Sequence, residues 1–407
     1  MNNVLQQRPR ATIVGGSLGG LFAANMLQRN GWDVTIFERT PETLTGRGAG
    51  IVTHPELFEA LAAAGVAIDD SIGVRIRTRV TLSRDGSTVS DREMPQTLTA
   101  WGKMYDVLGH AFSGEYRTGA TVTDVDSRSD HAVVKLEDGS THRADLVIAA
   151  DGFRSGVRER LVPSAALEYA GYIAWRGLVD EAKISRETHA AIFDKFAFCL
   201  PPHEQILGYP VAGDGNSTTP GQRRYNFVWY RATREHDELP DLLTDATGKV
   251  WNNGIPPALI RADVLADMES AAADRLAPQF AEIVSSTAQP LFQPIFDLTV
   301  PRMAFGRIAL LGDAAFVARP HCGMGVTKAA GDAMALVRAL AGHESVETAL
   351  EAYSAERVQV GQAVVEHARH LGAYMQAQLK SEQDREMAER YRTPEAVMRE
   401  TAVSRRF

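Results

Sequence analysis

The chain has 407 residues, 44% of them hydrophobic, and a formal net charge of -8. That length can bury one large core or two domains on a shared surface, and the negative charge disfavours nucleic acid and anionic membrane as partners. No apolar run approaches the roughly 18 residues of a membrane span, and two cysteines, Cys199 and Cys322, fit a reducing cytoplasm better than a disulfide framework.

The opening MNNVLQQRPR is polar and lacks the apolar centre of a signal peptide. ATIVGG predicts a buried strand running into a turn. LGGLFAANMLQRNG predicts a helix stopped by Gly31, and WDVTIFER a second strand ending at Glu38. HPELFEALAAAGV predicts a helix with Pro55 at its entry. Between Val74 and Met94, VRIRTRVTLS and STVSDREM joined at RDG predict a hairpin. WGKMYDVLGHAF predicts an amphipathic helix. The stretch from Thr118 to Asp151 predicts three strands, the last ending at Asp151. GYIAWRGLV, FAFCL, QILGYPV and YNFVWYR, between Gly171 and Arg231, predict a mostly antiparallel sheet. ALIRADVLADMESAAA returns to helix, RIALLGD is a buried strand ending at Asp313, and GVTKAAGDAMALVRALAG is a helix. The remainder to Phe407 reads as charged helix.

This order predicts an α/β architecture. A Rossmann-like nucleotide domain is assembled from residues 1–73, 98–168 and 290–345. A mostly antiparallel substrate sheet, 74–97 and 169–289, is inserted into it, and 346–407 forms C-terminal helices that cover the nucleotide domain or join a homodimer.

The turn VGGSLGG departs from the G-x-G-x-x-G spacing: Ser17 stands between Gly15 and Gly20 where a glycine is expected. A helix N-terminus after a strand still offers free N–H groups to a pyrophosphate, and a serine hydroxyl can add a donor. Glu38 ends the next strand, where a carboxylate accepts bonds from ribose hydroxyls. Asp151 ends another strand, followed by Arg154, Ser155 and Arg158; Asp313 ends a further one, followed by Pro320 and a Gly-rich helix start. The extra carboxylates suit a longer cofactor than NAD. N–H groups near Gly325 suit the negative charge of a reduced flavin.

The ordered set VGGSLGG, FER, RGAGI, ADGFRSGVR, LLGDAA and Pro320, spread over roughly residues 10–370, resembles the class A FAD-dependent aromatic hydroxylases. The Gly-Gly-Ser loop, YAGYIAWRGLVDE and GDAAFVARPH are most similar to the dihydroxypyridine 3-hydroxylase branch, which carries the serine in a working FAD loop. The resemblance implies that Gly15, Ser17, Leu18 and Gly20 hold the pyrophosphate, and Glu38 and Arg39 the adenosine end. It implies that Arg47, Gly50, Ile51 and Val52 lie beside the ribityl chain and flavin, and Val122 beside the adenine. Asp151 and Asp313 match the two carboxylate motifs, and Pro320 to Val326, with Gly323, Met324 and Gly325, the flavin edge. The chain departs from the wider family at Phe316, where many members have His, and at Trp101 and Lys103, where an Arg often stands. It departs from the pyridine branch at Cys322–Gly325.

The resemblance further implies that NADH or NADPH reduces FAD transiently. O2 then forms a C4a-hydroperoxide that hydroxylates a small electron-rich aromatic or N-heteroaromatic, a phenol or hydroxypyridine. Ring activation calls for a base or proton relay. Pro320, His321, His54 and Tyr209 are the candidate catalytic residues, with His203, Tyr225 and Tyr230 as further proton carriers. Blander roles stand beside these: His321, Tyr225, Trp229 and Tyr230 as core, Cys322 as a small buried filler, Arg154 and Arg158 as a solvated helix face. WNNGIPP (251–257) reads as a loop distant from the flavin motifs. Two other functions stay open: a tailoring hydroxylase or epoxidase of a larger natural product or xenobiotic, and a flavin-binding protein without turnover. No metal site is expected.

Overall fold

The structure, a computed structural model, describes residues 8–42, 44, 50–379 and 381–405. The chain begins with β1 (Arg10–Val14), α1 (Leu18–Arg29) and β2 (Asp33–Phe37). Short β3 (Gly50–Val52) leads to α2 (Pro55–Ala63), then the hairpin β4 (Val74–Leu82) and β5 (Thr88–Ala100), and α3 (Trp101–Ala111). Next come β6 (Glu115–Arg117), β7 (Val122–Ser127), β8 (Ala132–Leu136), β9 (Thr141–Ala144) and β10 (Leu146–Ala149). The three strands expected up to Asp151 are therefore four: Asp145 breaks the last apolar run into two strands that join different sheets.

After α4 (Gly156–Leu161) the chain forms β11 (Glu168–Asp180), the single turn α5 (Arg186–Thr188), β12 (Phe196–Cys199), β13 (Glu204–Val211) and β14 (Arg224–Ala232). Helices α6 (Glu238–Leu242), α7 (Ala262–Arg275) and α8 (Pro278–Ser285) precede β15 (Leu291–Asp297), β16 (Ala304–Phe305) and β17 (Ile308–Leu310). The chain continues as α9 (Gly325–Gly342), α10 (Val346–Gly372), α11 (Glu382–Tyr391) and α12 (Pro394–Glu400). No helix among the described residues is long and apolar enough to cross a membrane.

One sheet has the order β16-β17-β10-β1-β2-β6, with β17, β10, β1, β2 and β6 mutually parallel. The second, β15-β11-β14-β13-β12-β4-β5-β3, is antiparallel except for the β12–β4 pair. Sequence pattern had grouped β3 and β15 with the nucleotide segments, yet both pair into this larger sheet. Gly50–Val52 lie against Leu98–Ala100, and β15 lies along β11 past a bulge. A three-residue strand carries too little alternation to be read from sequence.

Period-2 alternation sorts the large sheet into two faces. On β14, Val228 and Tyr230 enter the cluster shared with β3, Cys322, Met324 and the C-terminal helices. Tyr225, Phe227 and Trp229 pack on the other side with α7 and α8. The inner face therefore looks toward Cys322 and Met324, and α10 to α12 cover part of it.

Candidate cofactor and active site

The parallel sheet brings four predicted segments to one edge. Because β2, β1, β10 and β17 are adjacent and parallel, the residues after each strand converge: Glu38, Gly15–Ser17, Asp151 and Asp313. Gly15 has φ +99°, and a Cβ there would lie 2.4 Å from the Ala150 carbonyl oxygen. A Cβ on Gly20 would lie 2.0 Å from the Gly15 carbonyl oxygen, so α1 is pressed onto its own loop. Ser17 is different. Its φ of -76° and ψ of -173° suit any residue, and its hydroxyl makes no capping bond. That hydroxyl and the free N–H groups of the first turn of α1, which starts at Leu18, remain available to a ligand.

Glu38 accepts hydrogen bonds from the Gly16 and Thr40 N–H groups, both at 2.9 Å. The Ala120 N–H donates to the Glu38 carbonyl at 2.9 Å, which lays half-buried Val122 near the same strand end. Arg39 is exposed beside it. Arg47 lies outside the described residues. Tyr116 of β6 straps the loop from the side: its hydroxyl donates to the Gly16 carbonyl at 2.9 Å.

Asp151 keeps Oδ1 buried without a partner, and burial raises its pKa. Asp313 sits on a single turn after β17 with its carboxylate half-exposed. Behind it, Lys328 of α9 is buried, its Nζ 3.8 Å from Asp313 and without a hydrogen bond. Arg158 is buried too, with Nε and Nη1 unpaired, so it is no solvated face. Arg154 is exposed and donates to the carbonyls of Asn252 (3.2 Å) and Asn253 (2.9 Å). WNNGIPP is a loop, as expected, but it lies against the Asp151 turn. Nearly a hundred intervening residues hid that contact.

A second group lies on the inner face. The Gly50 N–H donates to Asn226 Oδ1 at 3.0 Å, and a Gly50 Cβ would lie 2.4 Å from the Tyr209 ring. Strand β3, with buried Ile51 and Val52, thus crosses directly over Tyr209. Among the described residues, Arg176 has no ion pair and no hydrogen bond, and its Nε is buried. Its charge acts on the Tyr209 and Tyr230 phenols, although burial dominates and raises both pKa values.

Pro320 opens a single turn to Cys322, and Gly323 (φ 69°) turns the chain into Met324, Gly325 and Val326 at the start of α9. His321 is buried; its Nε2–H donates to the Ala368 carbonyl at 2.8 Å, and burial pushes its pKa down to about 3. His54 precedes α2, with Nδ1 2.9 Å from Thr327 Oγ1 and Nε2 buried and unpaired. Burial lowers its pKa as well, against the Ala402 carbonyl and Glu56, which raise it. Cys322 is a buried thiol pushed up to about 11 by burial.

The structure separates two candidates from this group. His203 lies on an exposed turn at φ 58°, and Tyr225 is on the outer face. Sequence reasoning missed Arg176, Asn226, Lys328 and Tyr116. A polar residue at an inward position of an apolar strand was the available signal for Arg176 and Asn226; Tyr116 gave none. The family departures have local explanations. Phe316 fills the space above Gly361, where a Cβ would lie 2.4 Å away, Trp101 stacks on Tyr105 at 5.1 Å, and Lys103 reaches Ser71 at 3.1 Å.

Family comparisons agree with this geometry. A NAD(P)-binding Rossmann-like domain matches residues 13–66, an FAD binding domain-like family residues 169–297, and an FAD binding domain residues 293–368. The 2,6-dihydroxypyridine 3-monooxygenase of Paenarthrobacter nicotinovorans is 31% identical over 376 residues, covering 90% of this chain and 91% of that protein. The chain belongs to the FAD-dependent aromatic hydroxylases. The hydroxylase superposes on the solved 2,6-dihydroxypyridine-3-hydroxylase from Arthrobacter nicotinovorans with a TM-score of 0.85 at 30% identity, covering 91% and 93% of the two chains. It is 25% identical to the 6-hydroxynicotinate 3-monooxygenase of Pseudomonas fluorescens over 379 residues, covering 87% and 89%. The expected fold, a Rossmann-like FAD-binding part carrying a second sheet and C-terminal helices, is the fold of the hydroxylase.

The residues present fit FAD. Among the described residues, Asp151 Oδ1, Lys328 Nζ and the two Arg158 nitrogens are buried polar atoms without a hydrogen bond. Such atoms are costly unless a ligand completes them. They lie with the unused Ser17 hydroxyl among the strand-end residues, where a pyrophosphate and polyol chain would supply both charge and hydroxyls.

Proposed function

We propose that this hydroxylase adds one oxygen atom of O2 to a small, electron-rich hydroxy-ring of the hydroxypyridine or phenol class, with NADH or NADPH as reductant. Bound FAD supplies the reaction with O2; the chain's own residues bind, orient and shield the ring. The observation that carries the ring class is Arg176, a cation without a carboxylate partner among the described residues, on an apolar face beside Tyr209 and Tyr230. A hydroxy-ring that gives up its proton would place its anion against that guanidinium and its flat body against Leu207 and Val228. The relatives named for 2,6-dihydroxypyridine and 6-hydroxynicotinate support the same class. Coverage of the inner face by the C-terminal helices favours a small ring over a larger natural product.

Within this reading, Gly15, Ser17, Leu18 and Gly20 hold the pyrophosphate, Glu38, Arg39 and Val122 the adenosine, and Asp151 and Asp313 the hydroxyl-bearing links. Gly50 to Val52 and Pro320 to Val326 border the flavin ring. His54 fits a proton carrier: burial lowers its pKa, Thr327 engages Nδ1, and the Ala402 carbonyl bears on the ring. His321, with its Nε2–H committed to a backbone carbonyl, fits a positioning role. Tyr209 packs the ring plane, and Pro320 shapes the loop. The two free, buried cysteines fit a cytoplasmic location.

NADH and NADPH oxidation by the purified enzyme, with and without 2,6-dihydroxypyridine, 6-hydroxynicotinate and simple phenols, tests this reading. The expected result is stimulation by a hydroxypyridine with little hydrogen peroxide. Arg176→Met should raise KM for that ring by about tenfold to a hundredfold, the value of a charge-assisted hydrogen bond. Bound FAD with no ring-stimulated oxidation would sink the proposal.

A further inference from the structure

Arg79 stands in the middle of β4 and is fully buried, at 0% exposure. It has no carboxylate partner among the described residues. Its guanidinium lies 4.7 Å from the Phe196 ring centre and 6.0 Å from that of Phe198. Its donors go to three backbone carbonyls: Met398 at 2.8 Å, Thr401 at 2.7 Å and Ala402 at 3.3 Å. Gln96 accepts from Nε at 3.1 Å and donates to the Ala402 carbonyl at 3.1 Å. A buried cation without a counter-ion is costly. Here the negative end of α12, with carbonyls converging on one guanidinium, replaces the carboxylate.

The clamped turn touches the flavin-edge loop. Ala402 has φ +54°, rare for a residue with a Cβ, and such a conformation persists only where its surroundings over-determine it. Its N–H donates to the His321 carbonyl at 2.9 Å. A Cβ on Gly323 would lie 2.8 Å from the Ala402 Cα, so the two backbones are in close contact. The Ala402 carbonyl also bears on His54. Two residues on, the Ser404 hydroxyl reaches Glu56 of α2 at 2.9 Å. One short segment therefore bridges β4, the 320–325 loop and the start of α2.

We propose that Arg79 is a positioning residue: acting through the turn at 398–404, it seats the 320–325 loop and closes the inner face against water. The activity consequence rests on the hydroxylation reading above; the structural consequence does not. With the turn unseated, water reaches the face, and the two electrons of NAD(P)H leave with O2 and two protons as hydrogen peroxide instead of producing hydroxylated ring and water.

The test uses full-length, FAD-loaded enzyme carrying Arg79→Met, Arg79→Lys or Ala402→Pro. Three quantities are read: the peroxide formed per NAD(P)H with 2,6-dihydroxypyridine, the rate of flavin reduction by NAD(P)H, and hydrogen–deuterium exchange along the backbone. Arg79→Met should raise the peroxide share by about threefold or more while flavin reduction stays within about twofold of wild type. Exchange should rise at both 320–326 and 393–405. Arg79→Lys, keeping the charge but losing the fork, should fall between. Ala402→Pro, which removes the N–H given to His321 and cannot keep a positive φ, should reproduce the effect with Arg79 intact. The proposal is overturned if Arg79→Met leaves exchange at 320–326 unchanged. It is equally overturned if Ala402→Pro leaves it unchanged, and should Arg79→Met fail to fold, Arg79→Lys decides: exchange at 320–326 unchanged in that variant overturns the role of Arg79. If wild-type enzyme shows no response to the ring, the hydroxylation reading fails on that substrate, and exchange still decides the role of Arg79.

Discussion

His321 is a histidine whose burial outweighs its charge. In the folded protein its pKa is about 3, against 6.5 for the free side chain, so it stays neutral where an unfolded chain would take up a proton. The stability this neutrality contributes is complete above pH 6.5 and is lost as pH falls toward 3. His54 shifts in the same direction, and His367 falls to about 4. Between pH 6.5 and 5, His321 alone should cost about 2 kcal/mol. Melting temperatures should therefore drop between pH 7.5 and 5, and His321→Gln should flatten that drop. An unchanged slope in the variant would show that the ring is solvated. Ser17 teaches the opposite lesson at the same scale. Its backbone lies where any residue can go, so the position reads as a defect only to a pattern and not to the fold.

At the scale of elements, the 320–325 loop is held at its entrance by a buried ion pair. Arg319 makes a forked contact with Asp297 at the end of β15, at 2.8 to 3.1 Å, and Arg369 of α10 adds a bond at 3.0 Å. Removing one partner leaves a buried charge alone, which costs about 3–5 kcal/mol. Asp297→Asn should accordingly lower the urea midpoint strongly, while Asp297→Leu combined with Arg319→Met should recover much of it. Near-equal losses in the single and double variants would mean that the pair does not act as a unit. The glycines, strand-end carboxylates and helix starts of this region were legible because each obeys a local rule: a strand, a turn that only glycine makes, a carboxylate at the strand's end. Arg319–Asp297, Arg79–Ala402 and Arg154–Asn253 were not, since each joins segments whose proximity is a property of the finished fold. Arg176 falls between these cases. Its place in the strand alternation was visible, but its lack of a partner among the described residues was not.

The whole molecule brings four strand ends and the start of a helix together from segments that span most of the chain. FAD that binds only this assembled state should stabilise it by mass action, by about 4 kcal/mol at a thousandfold excess over Kd. Protein stripped of FAD should melt lower, and its melting temperature should climb with the logarithm of added FAD. A melting temperature indifferent to FAD would contradict the fit of the buried polar atoms. Fold class was the most legible feature at this scale, because the alternation of strand and helix carries it. The partition into sheets was less so: β3 and β15 were assigned by neighbourhood in sequence, and hydrogen bonding placed them elsewhere.

The order of the parallel sheet also sets a timetable for synthesis. β1 and β2 leave the ribosome early and can pair at once, yet the strand on the other flank of β1 begins at Leu146, and the carboxylate of Asp313 comes far later. At translation speeds of roughly 5–20 residues per second, that interval is on the order of tens of seconds. Until Leu146–Ala149 arrive, β1 keeps an open, apolar edge. Arg79 waits longer still, for carbonyls 319 to 323 residues downstream. The FAD site can therefore close only once Asp313 and the start of α9 have emerged, late in synthesis.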